Sequence, residues 1–243
     1  MPDNRFFTHD NLYKDAIISL HDREAHHIAR VMRKKIGDKI ELINGRGQLA
    51  FAELSSIQKY QVDVTVKDIE EKPKSLSKVI LAQAIPRAKR LDMILEKSTE
   101  LGVDEIWLFP GARSEKVVIN ESQEQRMQAI LIASIKQCGR LHLPEIKIKK
   151  TLDKWDQLIG TAYFGDIAED APLFSDKWIK AEKESSTLFF VGPESGFTDA
   201  EHKKLRKLGA NGVKLHNNIL RTDTAPIVAL SLIQHWIMKD LAP

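Results

Sequence analysis

Residues Leu188-Phe189-Phe190-Val191-Gly192-Pro193-Glu194-Ser195-Gly196-Phe197-Thr198-Asp199-Ala200-Glu201 decide how the chain is read. The short apolar run Leu188–Val191 has the composition of a strand buried on both faces of a parallel sheet. It stops at Gly192-Pro193, where two glycines and a proline set a tight turn with exposed backbone groups. Thr198 and Glu201 then have the spacing of a capping box, which predicts a helix ending near Gly209. Strand, glycine turn and helix in succession are the unit of an α/β sheet, and a turn at the carboxyl end of such a strand is a favoured ligand site.

The same alternation extends outward. Upstream, Val79–Ile85 reads as a buried strand, and Leu91, Ile94, Leu95, Ser98 and Leu101 share one helix face closed by Gly102. Glu105–Phe109 is a strand, Met127 to Ile135 a helix stopping at Gly139, and Glu145–Ile148 and Ala162–Phe164 are further strands. Downstream, Val213–Leu215 predicts the last strand, and the last helix runs from after Thr224 to about Lys239. Ile227, Val228, Leu230, Leu232, Ile233, Trp236 and Ile237 cover nearly its whole circumference. A helix apolar all round needs burial on all sides, which predicts a subunit interface.

The first 70 residues have another rhythm. Ala16–Leu20, Lys39–Ile43, Leu49–Leu54 and Gln61–Val66 read as short strands, with one hairpin marked by Asn44-Gly45 and one helix from about Glu24 to Arg33. A small barrel is expected. Residues 70–78, charged and containing Pro73, suit a linker, so domains are expected at 1–72 and 73–243.

Composition narrows the class. With 42% hydrophobic and 29% charged residues the chain reads as globular rather than disordered. No run of 18 apolar residues or secretory pattern appears, so no membrane partner and a cytoplasmic location are expected. The lone Cys138 cannot form an intramolecular disulfide, and at the end of an apolar helix face it reads as a buried, inert thiol. The absence of an H-E-x-x-H or C-x-x-C pattern predicts no metal. Gly45-Arg46-Gly47-Gln48-Leu49-Ala50 matches a dinucleotide fingerprint in letters only, because an alternating strand follows instead of a helix. The net charge of +3 permits a polyanionic partner. Basic residues gather at Arg30, Arg33, Lys34, Lys35 and Lys39, again at Arg87, Lys89 and Arg90, and at Lys203, Lys204, Arg206 and Lys207. The first two groups lie at element ends suited to phosphates, and the third reads as plain surface.

The segment Ile219-Leu220-Arg221-Thr222-Asp223-Thr224-Ala225 lies between the last strand and the last helix. With Gly192-Pro193-Glu194-Ser195-Gly196-Phe197 it resembles the I-L-R-T-E-T-A and G-P-E-G-G-F segments of the RsmE family of SPOUT methyltransferases. Glu24-Ala25-His26-His27, Lys97-Ser98-Thr99-Glu100-Leu101-Gly102-Val103, Arg113-Ser114 and Gln137-Cys138-Gly139-Arg140 resemble other segments of that family, in order along the chain. Departures are Ser195 for glycine, Asp223 for glutamate, Asn218 where arginine is common, Pro226 for a small residue, and Gly165-Asp166 in place of a histidine-containing turn.

The resemblance implies a PUA-like β-barrel followed by an α/β domain with a deep C-terminal trefoil knot, in a homodimer. It implies methyl transfer from S-adenosylmethionine to N3 of a uridine in 16S ribosomal RNA of the small subunit. The competing expectations are a 2′-O-ribose methyltransferase and a non-catalytic RNA-binding assembly factor. Expected cofactor residues are Phe164, Gly165, Val191, Gly192, Pro193, Glu194, Gly196, Leu215, Asn218, Ile219, Leu220, Thr222 and Ala225. Arg221 is expected to stabilise charge on the base, with Glu194, Asp223 or water as proton acceptor. Arg5, His26, Arg30, Arg33, Lys34, Arg87, Lys89, Arg113 and Arg140 are expected to bind RNA.

Overall fold

A computed structural model describes residues 4–114, 118–178 and 185–241. They fall into two compact units, one running up to Lys74 and taking in Ile132–Leu143, the other holding Ser75–Leu131 and the chain from Pro144 onward.

The first unit contains β1 (Arg5–Phe7), β2 (Ile17–His21), α1 (Asp22–His26), a π-helical turn at His27–Val31, β3 (Lys39–Ile43), β4 (Gln48–Ile57) and β5 (Gln61–Glu71). The strands form one sheet in the order β1-β3-β4-β5-β2. Register shifts in the β4–β5 ladder between Phe51 and Ala52, and between Leu54 and Ser56, mark bulges, which bend a strand and increase its twist. Inward alternation buries Phe6, Ile18, Leu20, Ile40, Leu42, Leu54, Val62 and Val64 in one core with Ile28. The β3–β4 loop turns at Gly45 and Gly47, both at positive φ, and Asn44 Oδ1 accepts from the Arg46 N–H at 2.9 Å. These glycines therefore close a hairpin. On its other side Phe7, Ile43 and Leu49 pack on Ile135.

The second unit is a six-stranded sheet, and all its strand pairs are parallel. Its elements are β6 (Val79–Ala84), α2 (Ala88–Glu100), β7 (Glu105–Phe109), α3 (Glu121–Cys138, whose residues from Ile132 on belong to the first unit), β8 (Glu145–Ile148), β9 (Thr161–Gly165), α4 (Phe174–Lys177), β10 (Thr187–Val191), α5 (Asp199–Lys207), β11 (Asn211–Val213) and α6 (Thr224–Leu241). The strand order is β11-β9-β10-β6-β7-β8. β6, β7 and β10 are buried along their whole length, as their mostly apolar runs predict. The capping box at Thr198 and Glu201 is complete. Gly102 and Gly139 take positive φ just past α2 and α3, as helix-terminating glycines do. Pro226 falls in the first turn of α6, where a backbone N–H has no helical partner to lose.

The structure corrects some expectations. Cys138 is exposed, because it lies on the outer side of the last turn of α3. The expected helix at 24–33 breaks into α1 and a π turn and ends at Arg33, which sits at φ 53°. β11 is Asn211–Val213, two residues earlier than its apolar residues suggest, with Lys214 only bridging to Leu173. The three-residue β1 lies outside the expected strands and takes its register from parallel pairing with β3. No helix among the described residues is long and apolar enough to cross a membrane. No group of three or more His, Cys, Asp or Glu among them could hold a metal ion.

Candidate active site

The carboxyl ends of β9 and β10, with the segment that follows β11, surround a cleft of about 380 Å³. Gly192, Pro193, Glu194, Ser195 and Gly196 form one wall, and Leu215, Asn218, Ile219, Leu220, Thr222 and Ala225 form a second. Gly165 and Asp166, at the end of β9, contribute a third. Val191, Phe197 and His202 also line it. The cofactor residues expected from sequence thus converge, with one exception. Phe164 is fully buried beneath the cleft, covered by the Arg206 guanidinium 5.0 Å from its ring. Strand alternation puts that ring in the core and leaves its neighbour Gly165 at the cleft.

Each wall has a local reason for its shape. Gly196 is at φ 70° and donates its N–H to Pro193 O at 2.9 Å, closing the turn. A side chain on Gly192 would meet Phe197 N at 3.1 Å, so the turn needs glycine there. Ser195, by contrast, is absent from the residues at positive φ, which explains why serine is tolerated. The second wall is tied to the first by Thr222, whose hydroxyl donates to Gly192 O at 2.7 Å. The third wall is fixed by Asp166, which accepts from Ala168 N–H at 3.1 Å and Arg206 Nη2 at 2.5 Å. Burial works to raise the Asp166 pKa, but the Ala168 and Arg206 hydrogen bonds outweigh it and hold the carboxyl below the usual range. Ile219 and Ile167 line the cleft yet are 79% and 71% exposed, leaving apolar surface at its mouth.

Arg221 and Asp223 flank Thr222 and lie outside the cleft lining. The Arg221 side chain is exposed. The two acidic candidates are drawn together by a residue sequence reading left in a phosphate-binding cluster. Arg90 Nη1 donates to Asp223 Oδ1 at 2.8 Å, and Arg90 Nε lies 3.5 Å from Glu194 Oε1. Glu194 Oε1 also accepts from the Arg87 N–H at 3.0 Å. Arg113 lines the same cleft and donates to Ser195 O at 3.0 Å. Lys89 is exposed on α2. Arg90, Asp166 and His202 were among the residues missed, together with Ile167, Ser195 and Phe197 of the cleft lining. The signal that could have found Arg90 is its place in the first turn of α2, directly after a strand.

In the first unit, His26, Arg30 and Arg33 are exposed and Lys34 is half-buried along α1 and the π turn. His27 instead packs edge-on against Phe6 at 5.7 Å. Arg5 is only 9% exposed and engages Glu41 at 2.7 Å across the β1–β3 register, so its charge is spent inside the sheet. Arg140 follows α3 and is half-buried.

The geometry is matched by comparison with known proteins. The RNA methyltransferase domain model matches residues 72–234, and the RNA methyltransferase PUA domain model matches residues 20–67. The chain thus carries an RNA methyltransferase domain and a PUA domain. Ribosomal RNA small subunit methyltransferase E of Bacillus subtilis is 30% identical, covering 89% of this chain and 89% of the relative. The protein of the same name from Buchnera aphidicola is 29% identical over 95% of this chain and 92% of the relative. The chain belongs to the ribosomal RNA small subunit methyltransferase E family, the family its motifs resemble. Among solved structures, a Legionella pneumophila methyltransferase in complex with the bound cofactor SAM superposes with a TM-score of 0.87 at 26% identity, covering 96% of this chain and 97% of that one. The Neisseria gonorrhoeae ribosomal RNA small subunit methyltransferase E bound to S-adenosyl methionine gives 0.83 at 28% identity, with the same coverage.

Proposed function

We propose that this chain transfers a methyl group from S-adenosylmethionine to N3 of a specific uridine in 16S ribosomal RNA of the small subunit. The observation that carries the reading is the convergence of the Gly192–Gly196 and Leu215–Ala225 segments on one cleft. Its apolar rim, glycine turn and backbone groups fit an adenosine-bearing molecule. Gly165, Val191, Gly192, Pro193, Gly196, Leu215, Asn218, Ile219, Leu220, Thr222 and Ala225 would hold it. Bound there, S-adenosylmethionine supplies a methyl group on a positively charged sulfur.

The chain's own residues do the rest. Walls fixed by Thr222 and Asp166 hold donor and acceptor in line, and orientation lowers the barrier. Uracil N3 must lose its proton, leaving negative charge on the ring oxygens. Arg221, exposed beside the cleft, stabilises that charge. Glu194 and Asp223 both face Arg90, so either can take the proton only by parting from that guanidinium, and Arg90 holds the two loops in register. The pairing edge of the base is hidden in a duplex, so the target is an unpaired or flipped nucleotide. The PUA-like domain, at 1–72, presents His26, Arg30, Arg33 and Lys34 to RNA, and residues 73–243 add Arg87, Lys89 and Arg113, with Arg140 from the Ile132–Leu143 stretch that belongs to the first compact unit. Arg5 drops out of this set, since Glu41 holds it.

The proposal extends to a deep trefoil knot, supported by the return of Thr222 against Gly192 and β6. It extends to a cytoplasmic homodimer, supported by the half-buried Ile227, Val228, Leu232 and Ile237 of α6. Trp236 is engaged within its own chain by Phe174 and Trp178, at 5.0 and 4.9 Å. The test is transfer of labelled methyl to small subunits from cells lacking this gene, then reverse transcription across the labelled RNA. A new stop at one uridine is expected, because N3 methylation blocks pairing. Label without a stop would sink the N3 assignment.

A further inference from the structure

β6 reads Val79-Ile80-Leu81-Ala82-Gln83-Ala84, and all six residues are buried. One glutamine in a wholly buried strand needs partners, since an unpaired buried amide is costly. Gln83 finds them in both loops of the cleft, although it does not line the cleft itself. Its Nε2 donates to Ala84 O at 3.0 Å and Thr222 Oγ1 at 3.0 Å, and lies 3.4 Å from Gly192 O. The Thr222 hydroxyl, accepting from Gln83, donates its own hydrogen bond to Gly192 O at 2.7 Å. The direction of this relay is fixed. Ala84 O and Gly192 O can only accept, so the amide nitrogen must face them and the Thr222 hydrogen must point at Gly192. The cost is left on the far side of the amide, where Gln83 Oε1 is buried with no partner among the described residues.

An apolar residue would fill β6 without that cost, so the donor is what the position uses. We propose that Gln83 is a positioning residue for cofactor binding: acting through Thr222, it sets the spacing between the Gly192 turn and the Leu215–Ala225 segment. The inference rests on the reading of the cleft as the S-adenosylmethionine site.

The test is calorimetric titration of S-adenosylmethionine into the full chain and five variants, with thermal unfolding measured on each. Gln83→Leu and Thr222→Val should each weaken binding about tenfold, with Thr222→Ser close to wild type. The double variant should be little worse than either single one, because both cut the same relay. Gln83→Glu, which sets a carboxylate against the Ala84 and Gly192 carbonyl oxygens, should be worst. The KM for S-adenosylmethionine should rise while that for RNA stays put. Folded variants binding as wild type, or single effects that multiply, would overturn the proposal. If Gln83→Leu does not fold, Thr222→Val against Thr222→Ser decides it, a relay being excluded if those two bind alike. Wild-type protein that takes up no S-adenosylmethionine overturns the cofactor reading and this proposal together, whereas wild-type binding with unaltered variants overturns the proposal alone.

Discussion

The cleft of the α/β unit and the helical segment of the first unit carry their charges in opposite ways. Around the cleft, charges are paired and loops are tied: Arg90 to Glu194 and Asp223, Asp166 to Arg206, Thr222 to Gly192. Along α1 and the π turn, His26, Arg30 and Arg33 stand exposed. A small ligand needs walls placed to a fraction of an ångström, so each tether matters singly. A polyanion is held by the sum of many screened contacts, so no one cation dominates.

The contrast breaks most readily at Arg221. Arg221→Ala should lower turnover about 100- to 1000-fold with S-adenosylmethionine binding within about twofold of wild type, measured by single-turnover methylation and calorimetry. Wild-type turnover would remove Arg221 from the chemistry. Next comes Gly192→Ala, which pushes a methyl group to 3.1 Å from Phe197 N and should weaken cofactor binding about tenfold. Arg90→Ala frees two partly exposed carboxylates, and such pairs are individually weak, so a two- to fivefold rise in cofactor KM is expected, about equal to the worth of one surface ion pair. Arg33→Ala in the barrel should weaken RNA binding only a few-fold and reduce the slope of log affinity against log salt by about 1. A loss as steep as that at Gly192 would mean the barrel reads RNA at a fixed point, erasing the contrast.

A smaller effect concerns stability alone. Glu105 is buried. Burial works to raise its pKa, but hydrogen bonds from Lys147, Lys78 and Trp107 prevail and bring it from 4.5 to about 2. A carboxyl depressed by folding adds stability above its unfolded pKa and loses it as pH falls through the folded one. Urea unfolding at stepped pH should show that component vanish between about pH 4.5 and pH 2, and Glu105→Gln should lack it.

The α/β unit was legible because its central strands are mostly apolar runs and its turns carry glycine. Gly192, Gly102 and the Thr198 cap each announce a local conformation that neighbours reinforce. What escaped has non-local causes. β1 exists only through its pairing with β3, and the π turn follows from how Ile28 seats in the barrel core. Phe164 and Trp236 were assigned outward roles, yet aromatic neighbours brought together by the fold engage both within the chain. Arg90 was read as a phosphate ligand because its partners lie 104 and 133 residues away, beyond any local pattern.

The Gln83–Thr222 contact spans 139 residues of chain. Proteins are made from the amino end at roughly 5–20 residues per second, so on the order of ten seconds separates the synthesis of its two halves. Contacts of such separation also form late in folding, because loop closure must precede them. β6, α2 and β7 can take shape early, but the two cleft loops acquire their mutual spacing only once residue 222 has been added. A nascent chain therefore carries no finished cleft, which is completed nearly with the last helix.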